Sequence, residues 1–126
     1  MSAADPKTDV ERAFAAWDAA FNEGDLKGIV AAYLPNAKML PPTHDVAVGQ
    51  EAIEKFYAGA LASGITGHKL EVIDAGGNDK IVYSTARWSA KGKDNNGQVT
   101  TFSGLSTYVF ERQLDTSLKL LLQTWN

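Results

Sequence analysis

The sequence predicts an α+β fold in which a layer of helices covers one face of a curved, mainly antiparallel sheet. Three observations predict it. Apolar residues recur at helical spacing in the first half of the chain and at strand spacing in the second. Clusters of Gly, Asn and Asp separate the strand-like runs, as hairpin turns require. The length, 126 residues, is enough for one hydrophobic core and too little for two domains of ordinary size.

The first helix is predicted over 8–22, where Val10, Phe14, Trp17 and Phe21 follow one another at intervals of four, three and four. Thr8 with Glu11 forms a capping box, and Gly24 supplies the stop. A short second helix follows Asp25 as its cap, marked by Leu26, Ile29, Val30 and Tyr33 and ended by Pro35. Residues 37–40 read as a strand that runs into Pro41-Pro42, neither of which has an N–H for a ladder. After a loop through His44 and Asp45, Gly49 opens a third helix over 50–63. Ile53, Phe56, Tyr57, Ala60 and Leu61 repeat there at helical spacing before Gly64 closes it.

Strand-like runs follow over 68–75, 80–91, 100–112 and 117–124, joined by turn chemistry and therefore expected as antiparallel neighbours. Period-two alternation places Ser84, Ala86 and Trp88 on one face of the second run and Phe102, Gly104, Ser106 and Tyr108 on one face of the third. Leu121, Gln123 and Trp125 share a face of the last. Residues 1–7 are expected as a loose tail of a single domain spanning 1–126.

Composition removes whole classes of function. There is no cysteine, hence no thiol nucleophile, disulfide or cysteine-ligated metal. Only His44 and His68 are available as imidazoles, without the spacing of a metal site, so no metal and no cofactor are expected. A net charge of −3 with no basic run argues against nucleic acid. The longest apolar stretch, 28–34, is far too short to cross a bilayer, and with no apolar leader the cytoplasm is the expected location.

Three strings carry a resemblance over nearly the whole chain: Trp17-Asp-Ala-Ala-Phe-Asn-Glu-Gly-Asp25, Tyr33-Leu-Pro-Asn-Ala-Lys-Met-Leu-Pro-Pro42 and Gly49-Gln-Glu-Ala-Ile-Glu-Lys-Phe-Tyr57. With the closing Gln123-Thr124-Trp125-Asn126, the chain resembles the SnoaL-like and ketosteroid-isomerase-like branch of the nuclear-transport-factor-2-like, or cystatin-like, superfamily. The resemblance implies a cone: three N-terminal helices wrapped by a strongly bent sheet, an apolar pocket inside, and commonly a homodimer across the sheet's outer face. It also implies where an isomerase would carry its working groups. The oxyanion-donating tyrosine of the first helix is replaced by Trp17, the general-base aspartate falls at Pro41, and the second acidic donor falls at Ser106. Two supporting tyrosines match, Tyr33 and Tyr57. Without a base of suitable pKa at its position, ketosteroid isomerase chemistry by that mechanism is disfavoured.

The expected pocket is lined by Trp17, Phe21, Tyr33, Phe56, Tyr57, Trp88, Phe102, Tyr108 and Trp125, with Ser84, Ser106 and Gln123 as sparse polar points. Such a lining suits a hydrophobic small molecule. Trp17 either fills the core or also offers its indole N–H to a ligand; Tyr33 and Tyr57 either bond one another or reach solvent. His44, beside Asp45, is the acid–base candidate, with a solvent-exposed loop histidine as the alternative. His68 carries less signal, and Asp18, about 100° around the helix from Trp17, reads as a rim residue. The outer face, with Tyr83, Thr85, Arg87, Leu105, Thr107, Val109, Leu122 and Thr124, is apolar enough to predict a homodimer. A binding domain leads, ahead of a cyclase-, isomerase- or hydratase-like enzyme using His44 on a polyketide-type substrate, and of a non-catalytic protein-association module.

Overall fold

A computed structural model describes residues 5–126 as three helices packed on a six-stranded sheet of order β2-β1-β6-β5-β4-β3. Helix α1 (Pro6–Asn22) buries Val10, Phe14, Trp17 and Phe21, the stripe its periodicity defines. Its start differs from the expectation. Asp5 is the cap: its carboxylate accepts from the Lys7 amide at 3.2 Å and from the Thr8 hydroxyl at 2.7 Å. Thr8 therefore donates to a cap instead of being one, and Pro6 takes the first helical position, where a missing N–H is harmless. Of the expected tail 1–7, residues 6 and 7 are helical, and 1–4 lie outside the described residues.

Helix α2 (Leu26–Ala31) is capped by Asp25, which accepts from the Gly28 amide at 3.0 Å, and it ends before Tyr33. Tyr33 instead opens strand β1 (Tyr33–Leu40), so its expected place late in the second helix is corrected. The sheet captures this segment: Leu120 donates its amide to the Ala32 carbonyl at 2.8 Å, and Tyr33 pairs in parallel with Leu120. Pro35, the expected helix stop, sits inside β1 where the register with the neighbouring strand shifts, the one kind of strand position that tolerates a missing donor. A two-residue strand β2 (Ala47–Val48), too short to leave a periodic signal, pairs antiparallel with β1. Helix α3 (Gln50–Ala62) begins after Gly49, whose φ of 87° only glycine adopts readily.

The remaining strands β3 (Thr66–Gly77), β4 (Ile81–Lys93), β5 (Val99–Arg112) and β6 (Leu118–Trp125) form the expected antiparallel meander, and β6 closes on β1 in parallel. One face assignment changes. Between Val109↔Leu122 and Phe110↔Leu120 the β5–β6 register slips by one, leaving Leu121 as an extra residue. The bulge turns Leu120 into the core at 3% exposure, while Leu121 is only half-buried. The inward set on β6 is therefore Leu120, Gln123 and Trp125, in place of the expected Leu121, Gln123 and Trp125.

Residues from all three helices and from β1, β4, β5 and β6 make one core on the concave face of the sheet. Among the described residues no helix is long and apolar enough to cross a membrane.

Candidate functional site

A cavity of about 210 Å³ lies inside the curl of the sheet. Helix α1 contributes Trp17 and Phe21, α3 contributes Phe56, Tyr57 and Ala60, and the strands contribute Trp88, Ala90, Phe102, Tyr108, Gln123 and Trp125. Ile65 and His68 complete the wall. All three tryptophans of the chain are in it. The rings hold one another at fixed angles: Trp17 stacks on Phe21 with centroids 5.3 Å apart and meets Tyr57 edge-on at 5.4 Å, and Phe56 meets Trp125 edge-on at 5.5 Å. Offset and edge-to-face contacts of this kind each add about 0.5–1.5 kcal/mol beyond area burial, so the wall is rigid before any ligand arrives.

Glycine is required at one point behind this wall. A Cβ on Gly104 would overlap the Asn126 carbonyl oxygen and lie 2.8 Å from the Trp88 indole nitrogen. That indole donates to the same carbonyl at 3.0 Å, which fixes the Trp88 ring beside the cavity.

At the closed end of the cavity, Tyr33, Tyr57 and Gln123 form a ring of hydrogen bonds. Tyr33 donates to Gln123 Oε1, so its single proton is committed. Tyr57, 2.9 Å away, must then donate to Tyr33, and Gln123 Nε2 donates back to the Tyr57 oxygen at 3.4 Å. Of the two alternatives for these tyrosines, a mutual bond or a reach to solvent, the fold realises the first. Each hydroxyl gives one bond inside the ring, and neither has a proton left for a ligand. Burial raises the Tyr33 hydroxyl well above the usual tyrosine range, with the neighbouring Tyr57 adding to it. Burial likewise lifts Tyr57 to about 12, offset by bonds from Tyr33 and Gln123, and raises Tyr108 further. All three are neutral at any physiological pH.

Two nitrogens in the wall are uncommitted. The Trp17 indole N–H is buried, with 7% of the residue exposed, and has no hydrogen-bond partner. His68, from the start of β3, lies with its ring 4.7 Å from Trp17 and nearly parallel to Trp88 at 6.5 Å. Its Nδ1 is 2.8 Å from Asp18 Oδ1, with 13% and 17% of the two side chains exposed. A carboxylate oxygen can only accept, so Nδ1 carries the hydrogen, and Nε2 has no partner among the described residues.

Local structure explains how α1 and an edge strand meet there. Strand β3 pairs only with β4, leaving the amides of its other edge open. Asn22 accepts from the His68 amide at 2.8 Å and donates to the His68 carbonyl at 2.9 Å. One helical turn earlier, the second oxygen of Asp18 accepts from the Leu70 amide at 2.9 Å. The β3–β4 register slips between Thr66 and Lys69, next to Gly67 with φ of 61°, and this bulge turns His68 onto the face it shares with Leu70. Asp18 and His68 were not expected in the site. Asp18 and Asn22, four apart on one face of α1, and a glycine before a strand histidine are the only sequence features that bear on them, and neither specifies a pairing across 50 positions.

Other sequence-derived candidates fall outside the wall. Tyr33 stands behind Tyr57, 1% exposed, and reaches the cavity only through the ring of bonds. Ser84 and Ser106 face inward, but their hydroxyls donate to strand carbonyls, Ser84 to Asp74 at 2.8 Å and Ser106 to Ala86 at 3.4 Å. They pack the core and offer no polar point to the cavity. His44 is exposed, with φ of 70°, and lines a separate surface depression with Pro41, Pro42 and Val46. Trp125 separates that depression from the aromatic cavity.

A family model described as the SnoaL-like domain matches residues 10–114. No curated protein matches the sequence significantly. Solved structures do match in fold. A ketosteroid isomerase-like protein from Erwinia carotovora atroseptica superposes with a TM-score of 0.80 at 16% identity, covering 94% of this chain and 92% of that one. Aln2 from a Streptomyces species gives 0.79 at 16% identity, over 99% and 94% of the two chains. A protein from Catenulispora acidiphila in complex with S-DNPA gives 0.75 at 18% identity, over 94% and 90%.

Proposed function

This chain belongs to the SnoaL-like domain family, and we propose on that basis that it binds an apolar, aromatic small molecule inside the cone. One observation carries the reading: a cavity of about 210 Å³ whose wall holds every tryptophan of the chain and very few polar atoms. A dry apolar cavity of roughly 150 Å³ accepts benzene, and drug-sized ligands occupy roughly 300–1,000 Å³. The volume therefore suits a one- or two-ring ligand, with larger substituents passing through the open side. A fold neighbour was solved in complex with S-DNPA, which supports small-molecule binding by a chain of this fold. Sugars and phosphates fit poorly, because the wall holds no cation to meet a phosphate.

The tryptophans supply the test. Titration with naphthalene, exciting only indole, is expected to quench and shift the emission with a dissociation constant on the order of 10–100 µM. Ala60→Phe, which places a ring in the void, is expected to remove the response while the fold persists. Unchanged emission up to the solubility of naphthalene would sink the reading.

The outer face of the sheet supports a homodimer as the assembled form. Tyr83, Leu105 and Leu122 are 47%, 46% and 37% exposed there, among Thr85, Thr107 and Thr124, with the exposed Arg87 paired opposite Leu105. A two-fold contact would cover the patch with its own copy. Sedimentation equilibrium is expected to give twice the 13.6 kDa chain mass, and Leu105→Lys with Leu122→Lys to give the monomer; a monomeric wild type at 100-fold the working concentration overturns it.

A further inference from the structure

We propose that Asn96 is a site of spontaneous covalent modification, at which the Gly97 amide nitrogen attacks the Asn96 side-chain carbonyl and water opens the resulting succinimide, and that Asp94 sets the rate by holding the turn shut. Asn96 is the one asparagine of the chain followed by glycine. Ring closure brings the nitrogen of the next residue against the asparagine side chain, and a Cβ on that residue crowds the approach. Gly97 has none, its φ is 76°, and nothing lies within 4 Å of where a Cβ would stand. Both residues are exposed in the turn between β4 and β5, so water reaches the product.

Other asparagines are held and crowded. Asn22 is bonded twice to the His68 main chain, Asn78 Oδ1 accepts from the amides of Lys80 and Ile81, and each is followed by a residue with a Cβ. Among the described residues the Asn96 side chain has no hydrogen-bond partner; only its main-chain amide is engaged.

The turn itself is what restrains the reaction. Gly97, the nucleophile, donates its N–H to the Asp94 carbonyl at 3.0 Å, and the Asp94 amide donates to the Gln98 carbonyl at 2.9 Å. Asp94 Oδ1 accepts from the Asn96 amide at 2.8 Å and from the Gln98 amide at 3.0 Å. While these bonds stand, the Gly97 nitrogen faces Asp94, so attack on Asn96 requires the turn to open. Removing the Asp94 carboxylate deletes two bonds of the closed form, which raises the open fraction by about 10-fold.

In the proposed reaction the Gly97 nitrogen gives up its proton and bonds to Asn96 Cγ, and the Cγ–NH2 bond breaks to release ammonia. Water then cleaves one of the two ring C–N bonds. Cleavage at Cγ gives aspartate, and cleavage at the main-chain carbonyl gives isoaspartate, with the chain running through the former side chain. One water is consumed for each ammonia released, and no oxidant or reductant takes part. Either product adds a negative charge beside Asp94 to a chain of net charge −3. Isoaspartate also lengthens the hairpin that carries Ala90 and Phe102 of the cavity wall.

The test follows the full chain through storage in mildly alkaline buffer, by anion exchange and by mass spectrometry of its peptides. An acidic species is expected that elutes with Asn96→Asp, and the peptide holding Asn96 is expected to gain the mass of amide exchanged for acid before any other asparagine reacts. Asp94→Ala is expected to react about 10-fold faster than wild type, and wild type in urea faster than in buffer. Asn96 intact after other asparagines have reacted overturns the site. An Asp94→Ala rate equal to that of wild type overturns the restraint. Should Asp94→Ala fail to fold, wild type with and without urea decides: equal rates in the two overturn the restraint.

Discussion

Between pH 10 and about 12 the folded state is expected to lose stability at about 4 kcal/mol per pH unit, enough to unfold a domain of ordinary stability within that window. The cause is the trio Tyr33, Tyr57 and Tyr108. Burial raises all three above the tyrosine reference of 10.0, Tyr57 to about 12. The unfolded chain gives up these protons near pH 10 and the folded chain does not, so rising pH draws the equilibrium toward the unfolded state. Each tyrosine contributes about 1.36 kcal/mol per pH unit. Below about pH 9 all three are protonated in both states and contribute no pH dependence. Urea midpoints measured at half-unit steps from pH 8 to 12 check this, and Tyr108→Phe is expected to reduce the slope by about a third. A midpoint that stays level to pH 11.5 would contradict it.

Gln123→Leu is expected to destabilise the protein by about 3 kcal/mol although it conserves volume. The substitution strands two groups at once. The Tyr33 proton loses its acceptor and the Tyr57 oxygen loses its donor, at residues 1% and 4% exposed, where water cannot substitute. Chemical denaturation of the variant against wild type measures the loss; a change within about 0.5 kcal/mol, the range of an ordinary surface substitution, would show that the ring of bonds adds nothing net.

The fold was legible where its determinants are local. Val10, Phe14, Trp17 and Phe21 announce α1 through their own spacing, and all four are buried. The turn clusters between strands specify hairpins without reference to the rest of the chain, and the meander followed. Legibility failed where a distant segment decides. Tyr33 continues a helical pattern in the sequence, yet it is a strand residue because β6, nearly ninety positions later, offers Leu120 as a partner. Leu121 loses its inward place to Leu120 because a bulge against β5 adds a residue, and alternation has no means to count it.

The site divides in the same way. Helical and strand period defined the faces that carry its rings and the resemblance turned those faces inward; Trp17, Phe21, Phe56, Tyr57, Trp88, Phe102, Tyr108 and Trp125 line the cavity together with Gln123. Its polar pair was not readable. Asp18 and His68 are separated by 50 positions and meet only because β3 is an edge strand that α1 must cap and Gly67 bulges beside it.

By itself the sequence determined the α+β architecture and an interior rich in aromatic rings, because period, turn chemistry and composition act over short stretches of chain, while its motif strings carried the resemblance to the SnoaL-like family. Only the tertiary structure decided which polar groups those rings surround. Tyr33, Tyr57 and Gln123 satisfy one another, His44 stays outside with the solvent, and His68 pairs with Asp18 beside Trp17. A hydrogen-bond partner is set by angstroms in space, and separation along the chain does not encode that distance.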